Sequence, residues 1–325
     1  MKWVLIVAAI LHVSFSYAQH AQIDKIPGQP YYKYELTTSE IKSTFYLSEV
    51  KTDEVLPLIV YIQGSGSSSL FENHNGKVIS TAGHITWVDA CQSKYRILIV
   101  EKPGVDFLQK ERSGYFDQVF SLESWSQRIV KVILYVAKHE HIDTSKILVA
   151  GHSEGGIVAS RVANLMTDMI SHVAILAGEG PSQLYSLYRF AQDGTFFNTL
   201  EYNLPSDSLR INYLMDVWYD ILSNPTSTEK KFWGFTYLRW SSMLRTSVID
   251  ELSNYNGNIF LLQGSADKTV HPESATIAYV ALLSIGKKIR LEIIENADHS
   301  FNLMDKPDED GWKHAIELIL SWFNT

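Results

Sequence analysis

Ile147-Leu148-Val149-Ala150-Gly151-His152-Ser153-Glu154-Gly155-Gly156 is the stretch on which the reading of this chain turns. Four apolar residues run straight into Gly-His-Ser-Glu-Gly, and Ile157, Val158 and Ala159 then open a helical pattern. A Gly-x-Ser-x-Gly set between strand and helix is a turn so tight that only glycines fit two residues either side of the serine. The serine is held in strained backbone geometry with its hydroxyl at the tip. Position 154 opens the helix, so the Glu154 N–H is one of the donors a helix start leaves unpaired. It is aimed where an oxyanion would form. The bland reading is a surface serine in a Gly-rich turn; the flanking strand and helix favour Ser153 as a nucleophile.

Outward from this turn, buried strands alternate with helices. Tyr31 to Leu36 and Ser43 to Leu47 read as two early strands. Leu56 to Ile62, Tyr95 to Val100 and His172 to Leu176 are continuous apolar runs, as expected of strands covered on both faces. Ser80 to Ser93, Leu122 to Lys138 and the segment from Ile157 through Met166 read as helices, and Ile142 to Lys146 as a turn. The rhythm breaks from Pro181 to Leu244, where helical stretches crowded with aromatics replace the strands. It resumes with a strand from Asn258 to Leu262, a helix from Pro272 to Ile285, a strand from Ile289 to Ile294 and a helix from Trp312 to Trp322. The pattern predicts an α/β protein with a mostly parallel, doubly wound sheet over residues 19–180 and 245–325. Residues 181–244 are expected to form an inserted helical cap, a few of whose aromatics line an apolar pocket beneath it.

Met1-Lys2, the apolar run from Trp3 to Val13 and the small residues Ser16 and Ala18 have the form of a secretory signal peptide, residues 1–18, cleaved after Ala18. The expected location is secreted or periplasmic. The single cysteine, Cys91, excludes an intrachain disulfide and is expected to be a buried helix residue. With no Asn-x-Ser/Thr sequon either, a bacterial exterior suits the chain better than a eukaryotic secretory route. Without Lys2, 27 basic residues face 36 acidic ones, a net charge of −9. No basic block exists, which argues against nucleic acid or an anionic membrane as partner, and no later segment is apolar enough for membrane insertion. No His/Cys cluster has metal-ligand spacing, so neither metal nor cofactor is expected.

A serine hydroxyl needs a base to take its proton and a third group to orient the base. In an open α/β sheet those groups belong in the loops just after the strands. Asp267 follows the strand ending at Leu262, and His299 follows the one ending at Ile294. The order Ser153, Asp267, His299 assigns nucleophile, orienting carboxylate and general base. His152 is read as structural and turned off the catalytic side, His271 as too near Asp267 in the chain, and His314 as part of the last helix. Asp298 is expected to face away from its neighbour His299, and Asp250 precedes its strand. The Glu154 carboxylate is read as a helix N-terminal charge.

These residues resemble the α/β-hydrolase superfamily, and in particular its secreted bacterial serine esterases and its dienelactone-hydrolase and peptidase-like members. The resemblance rests on Gly-His-Ser-Glu-Gly-Gly, on Gly264-Ser-Ala-Asp-Lys-Thr-Val270 and on Ala297-Asp-His-Ser-Phe301, and covers Leu56 to the C-terminus. It implies the α/β-hydrolase fold and a second oxyanion donor from the loop after the Leu56–Ile62 strand. Many such enzymes have His-Gly there; this chain has Gln63-Gly64, and the Ser65 N–H becomes the expected partner of the Glu154 N–H. The expected activity is hydrolysis of a carboxylic ester through an acyl-enzyme. The alternatives are a peptidase or thioesterase using the same three residues, with the cap's Glu201, Asp207, Asp216, Asp220 and Glu229 holding a peptide's amino end, or a non-catalytic hydrolase-like binding protein.

Overall fold

The computed structural model describes residues 22–37, 42–50, 53–195 and 203–325; the signal peptide expected at residues 1–18 lies outside them. In chain order the first strands are β1 (Gln22–Lys25), β2 (Tyr31–Thr37), β3 (Lys42–Ser48) and β4 (Leu56–Ile62). A hairpin of β5 (Phe71–His74) and β6 (Lys77–Ser80) leads to helix α1 (His84–Cys91) and strand β7 (Arg96–Val100). Helices α2 (Gly114–Val119) and α3 (Leu122–His139) precede β8 (Ile142–His152), α4 (Gly155–Leu165) and β9 (His172–Leu176). Then come α5 (Leu184–Asp193), α6 (Asp207–Ser223), β10 (Lys231–Phe232), β11 (Phe235–Thr236), α7 (Tyr237–Leu244) and α8 (Val248–Ser253). The chain closes with β12 (Asn258–Gly264), α9 (Glu273–Ser284), β13 (Ile289–Ile294) and α10 (Gly311–Phe323).

Nine strands form one sheet in the order β1-β2-β3-β7-β4-β8-β9-β12-β13. The first three and the β3–β7 pair are antiparallel, and every pair from β7 to β13 is parallel. The parallel strands carry long apolar runs because helices cover both faces. One face is packed by α3, α4 and residues of α8 and α9, with Trp125, Ile129, Val132 and Val158 fully or nearly fully buried. The other is packed by α1 and α10 through Trp87, Ile316, Ile319 and Phe323. The strongly amphipathic α3 starts on a capping box in which Ser121 accepts from the Ser124 backbone N–H and Ser124 from that of Ser121.

Three local readings change. Ser80 to Ser93 is helical only from His84, because Lys77–Ser80 pairs as a hairpin and Gly83 turns the chain with φ 70°. The turn expected at Ile142–Lys146 lies inside β8: the register on β4 jumps from Pro57↔Asp143 to Leu58↔Ile147, and residues 144–146 bulge out over Asp143, whose side chain accepts from Ser145. Residues 184–244 hold an apolar cluster of their own around Leu187, Leu214, Phe232 and Trp240, and two short strands interrupt the helices there.

From β4 the chain moves first to β7 on one side, then to β8 on the other. Ligands of open α/β sheets bind at such a reversal, beyond the carboxyl ends of the strands. The loops leaving β4 and β8 are neighbours there, and those leaving β12 and β13 are tied together. The Ser265 N–H donates to Ile294 O at 3.0 Å and the Ala266 N–H to Ala297 O at 2.9 Å. A Cβ on Gly264 would lie 2.3 Å from Ala297 O, which is backbone and cannot swing aside. Gly264→Ala should therefore force the two loops apart and lower stability by roughly 1–3 kcal/mol. A urea titration would show the midpoint falling; an unchanged midpoint would contradict the close packing of these loops.

Candidate active site

Ser153 occupies the left-handed region with φ 56°, unfavourable for any residue with a side chain. Its N–H is tied to Leu176 O of β9 at 2.9 Å and its carbonyl receives the Gly156 N–H at 2.8 Å. The flanking glycines are sterically required. A Cβ on Gly151 would lie 2.0 Å from Gly155 O, and one on Gly155 would lie 2.4 Å from Ile62 O of β4. The turn thus presses strand, helix and neighbouring strand together and projects the serine between them.

His299 stands within reach of both partners. Its Nε2 is 3.0 Å from Ser153 Oγ and its Nδ1 is 2.9 Å from Asp267 Oδ2. Asp267 is buried, and its carboxylate accepts from more than the imidazole: the Thr269 and Val270 backbone N–H groups donate to Oδ1 at 2.8 and 2.9 Å, and Gln263 Nε2 donates to Oδ2 at 2.9 Å. Burial alone would raise its pKa, but His299, the Val270 N–H and Gln263 outweigh that and hold it below the ordinary value. An ionised, fixed carboxylate on Nδ1 leaves Nε2 as the bare acceptor facing the serine hydroxyl. The competing groups are engaged elsewhere. Asp298 accepts from the Ser300 and Asn302 backbone inside its own loop, Asp250 from Ser247 at the start of α8, and His271 Nδ1 from the Glu273 N–H.

Glu154 and Ser65 flank Ser153 from α4 and from the β4 exit loop, and neither N–H donates to another described group. The loop passes close: a Cβ on Gly64 would stand 3.1 Å from Ser153 Cβ. Beneath it lies Lys102, a fully buried lysine at the end of β7 whose Nζ donates to Gly64 O at 2.5 Å and Gly66 O at 2.9 Å. Burial, then the charge of Arg239, press its pKa down to about 7, with Glu101 opposing. The Glu154 carboxylate does lie at a helix start, but it is buried and paired with Arg239 of α7. Arg239 also stacks on Trp240, its Cζ 3.9 Å from the ring centroid. Sequence reading missed Lys102, Arg239 and Gln263. Lys102 alone left a signal there, a charged pair Glu101-Lys102 closing an otherwise apolar strand run.

A cavity of about 430 Å³ opens beside Ser153 and His299, walled by Tyr61, Ser65, Gly83, His152, Ser300 and Trp312. None of the described residues between 181 and 244 lines it, whereas the pocket expected from the sequence lay beneath aromatic cap residues. Most of the described cap aromatics pack into their own cluster, Tyr188 and Tyr219 are exposed, and the cap reaches the serine turn through Arg239. The cavity's aromatic walls come from β4 and α10. Their polar atoms are tied back, Tyr61 Oη to Ala82 O at 2.9 Å and Trp312 Nε1 to Gly83 O at 3.0 Å. Among the described residues, no Lys, Arg, Asp or Glu lines it. His152, read as turned away from the chemistry, in fact borders it. Its Nε2 lies 2.9 Å from His299 O, and burial, then the His299 charge, lower its pKa to about 4. It is a neutral donor that fixes the backbone of the other histidine. Among the described residues no group of three or more His, Cys, Asp or Glu could hold a metal ion. Of the acidic cap residues, Glu201 lies outside the described residues, Asp220 is bound to Lys230 and Tyr237, and none of the described ones lines the cavity.

A model of the prolyl oligopeptidase family matches residues 126–325, which contain Ser153, Asp267 and His299. No curated protein matches the sequence. Among solved structures, the Pyrococcus horikoshii acylaminoacyl peptidase aligns over 94% of this chain and 41% of its own, with TM-score 0.61 and 13% identity. Est1E from Butyrivibrio proteoclasticus aligns over 90% of this chain and 98% of its own, with TM-score 0.54 and 17% identity. A putative dipeptidyl aminopeptidase IV from Bacteroides ovatus aligns over 94% and 36%, with TM-score 0.57 and 12% identity. The chain thus spans less than half of either peptidase. Identities this low speak to the fold, which is the α/β-hydrolase fold.

One buried acid beside the site has a consequence for stability. Glu179 follows β9 and accepts from Ser274 Oγ at 3.3 Å. Burial, reinforced by the negative charge of Asp267, raises its pKa to about 8. A carboxyl raised in the folded state contributes stability that is full below its unfolded pKa of about 4.3 and is lost as pH climbs toward the folded value. Glu179→Gln should melt like the parent near the lower limit and increasingly above it up to about pH 8. Melting curves that stay parallel across that window would refute a protonated Glu179.

Proposed function

The chain belongs to the prolyl oligopeptidase family, and from that premise we propose that this serine hydrolase cleaves carboxylic esters with uncharged acyl or alcohol groups. The carrying observation is the hydrogen-bonded line Asp267–His299–Ser153 beside a cavity whose described walls carry no charge. In this scheme His299 Nε2 takes the proton of Ser153 as Oγ bonds to the ester carbonyl carbon. The Glu154 and Ser65 N–H groups receive the carbonyl oxygen as it becomes an oxyanion. The C–O bond to the alcohol then breaks, and His299 returns the proton to the departing oxygen. Water repeats the sequence on the acyl-enzyme, releasing the acid and restoring Ser153. Asp267 stabilises the imidazolium that forms in each half and is not itself protonated. No step calls on a cofactor.

The same groups serve amide cleavage, and the family and the peptidase neighbours favour that second reading. Against a free peptide amino end as the recognised group stands the lack of any carboxylate among the described residues that line the cavity. The match to Est1E over nearly all of that protein's length agrees with the ester reading. Secretion enters the proposal from the sequence of Met1 to Ala18; a mature N-terminus at Gln19 in the extracytoplasmic fraction would support it.

Ser153→Ala is expected to lower ester turnover at least about a thousandfold. A fluorophosphonate probe should label the parent and leave the variant unlabelled. Undiminished hydrolysis of short p-nitrophenyl esters by the variant would rule out Ser153 as nucleophile. A panel of uncharged aryl esters, thioesters, N-blocked peptides and aminoacyl-naphthylamides decides the bond. Naphthylamides turned over faster than aryl esters would replace the ester reading with the peptidase one.

A further inference from the structure

The geometry points to Lys102 as a positioning residue for catalysis, one that holds the Ser65 N–H in line for the oxyanion by clamping the carbonyls on either side of it. The inference rests on the proposed role of Ser153 and goes beyond it, because Lys102 lies outside the cavity and touches no substrate. A trans peptide is planar, so the Gly64 carbonyl and the Ser65 N–H belong to one rigid unit and point in opposite directions. Lys102 Nζ holds that carbonyl at 2.5 Å from the core side of the loop. The N–H is thereby turned the other way, and Gly64 and Ser65 both line the cavity on that side.

The second bond, at 2.9 Å to Gly66 O, removes the remaining freedom. Gly66 has φ 112°, accessible only to glycine without strain, and this lets two carbonyls two residues apart converge on a single ammonium. The clamp is itself held. The Nζ lies 4.7 Å from the centroid of the Trp125 ring and 5.9 Å from that of Phe120, and Arg128 fixes the Lys102 carbonyl at 3.0 Å. A cation on the carbonyl end of a peptide also withdraws electron density through the amide and strengthens its N–H as a donor. The lysine therefore acts twice on one atom, by direction and by polarisation. A lysine present only to fill space would be replaceable by an apolar side chain of its length.

Lys102→Met keeps the stem and removes both bonds. Turnover of a short uncharged aryl ester should fall about tenfold to a hundredfold, less than the loss of a whole oxyanion donor, while KM changes little. Affinity for a benzeneboronic acid, whose tetrahedral adduct on the serine places an anion in the same position, should fall by the same factor as kcat. Lys102→Arg, which keeps charge and donors, should lie between the two. Loss confined to KM, or a boronate affinity that stays at the parent value, overturns the proposal. A second measurement needs no variant. The ¹⁵N resonance of the Lys102 ammonium, titrated in the parent protein, should keep its proton to higher pH when the boronate adduct is present, since coupling between the two charges is reciprocal. A titration curve the adduct does not move also overturns it. If Ser153→Ala retains ester activity, the underlying reading fails; if Ser153→Ala is inactive and Lys102→Met equals the parent, only the clamp does.

Discussion

Everything in this site follows from the absence of two Cβ atoms. Strand β8 turns into α4 so tightly that the backbone of residue 155 presses against residue 151 on one side and against the end of β4 on the other. No side chain fits at either position, and the residue between them is driven into left-handed backbone. That strain is offset by the sheet around it: Ser153 is anchored through its own N–H to β9, and β8 is flanked by β4 and β9 in parallel register. A mobile loop could not hold a residue with a side chain there for long. The hydroxyl is therefore presented from the middle of the parallel sheet, where β8 is flanked on both sides.

Charge is distributed around this turn with the same economy. The described groups that border the cavity are neutral or polar, while the ionisable Lys102, Glu101, Arg239 and Glu154 are buried one layer behind. Each has a partner suited to low dielectric. Glu101 receives Tyr46, Ser69 and the Leu70 N–H, and Arg239 meets Glu154 and an indole face. Glu101 is raised by burial to about pH 7 even with those donors, and Lys102 is lowered to about the same value. Charges placed here organise backbone dipoles rather than touch a ligand.

The central strands β4 and β9 were legible because burial on both faces leaves a continuous apolar run, and the edge strand β13 because it alternates; all three have the bounds that the pattern suggests. Asp267 and His299 were legible for a topological reason, since an exit loop after a parallel strand can only open on one edge of the sheet. The hairpin Phe71–Ser80 was not, being four polar and apolar residues a side with no sustained alternation. Lys102, Arg239 and Gln263 were hidden because their meaning lies in partners 36 to 85 residues away or in a side chain folded back on its own loop. The aromatic crowding of the cap was visible, but aromatics pack a small independent cluster and line a pocket with equal ease, and sequence does not separate the two.

The cavity wall and the cap draw on separate parts of the chain. Tyr61 and Trp312 belong to the sheet and the last helix, whereas among the described residues the cap meets the serine turn through the Arg239–Glu154 pair. In evolutionary terms the two are nearly uncoupled modules. A lineage could exchange most of the insertion, lengthening or reshaping what covers the sheet, without rebuilding the surface that first receives the scissile group. The one condition of such an exchange is a cation above Glu154, because an unpaired carboxylate buried next to a forming oxyanion would repel the charge the turn is shaped to accept.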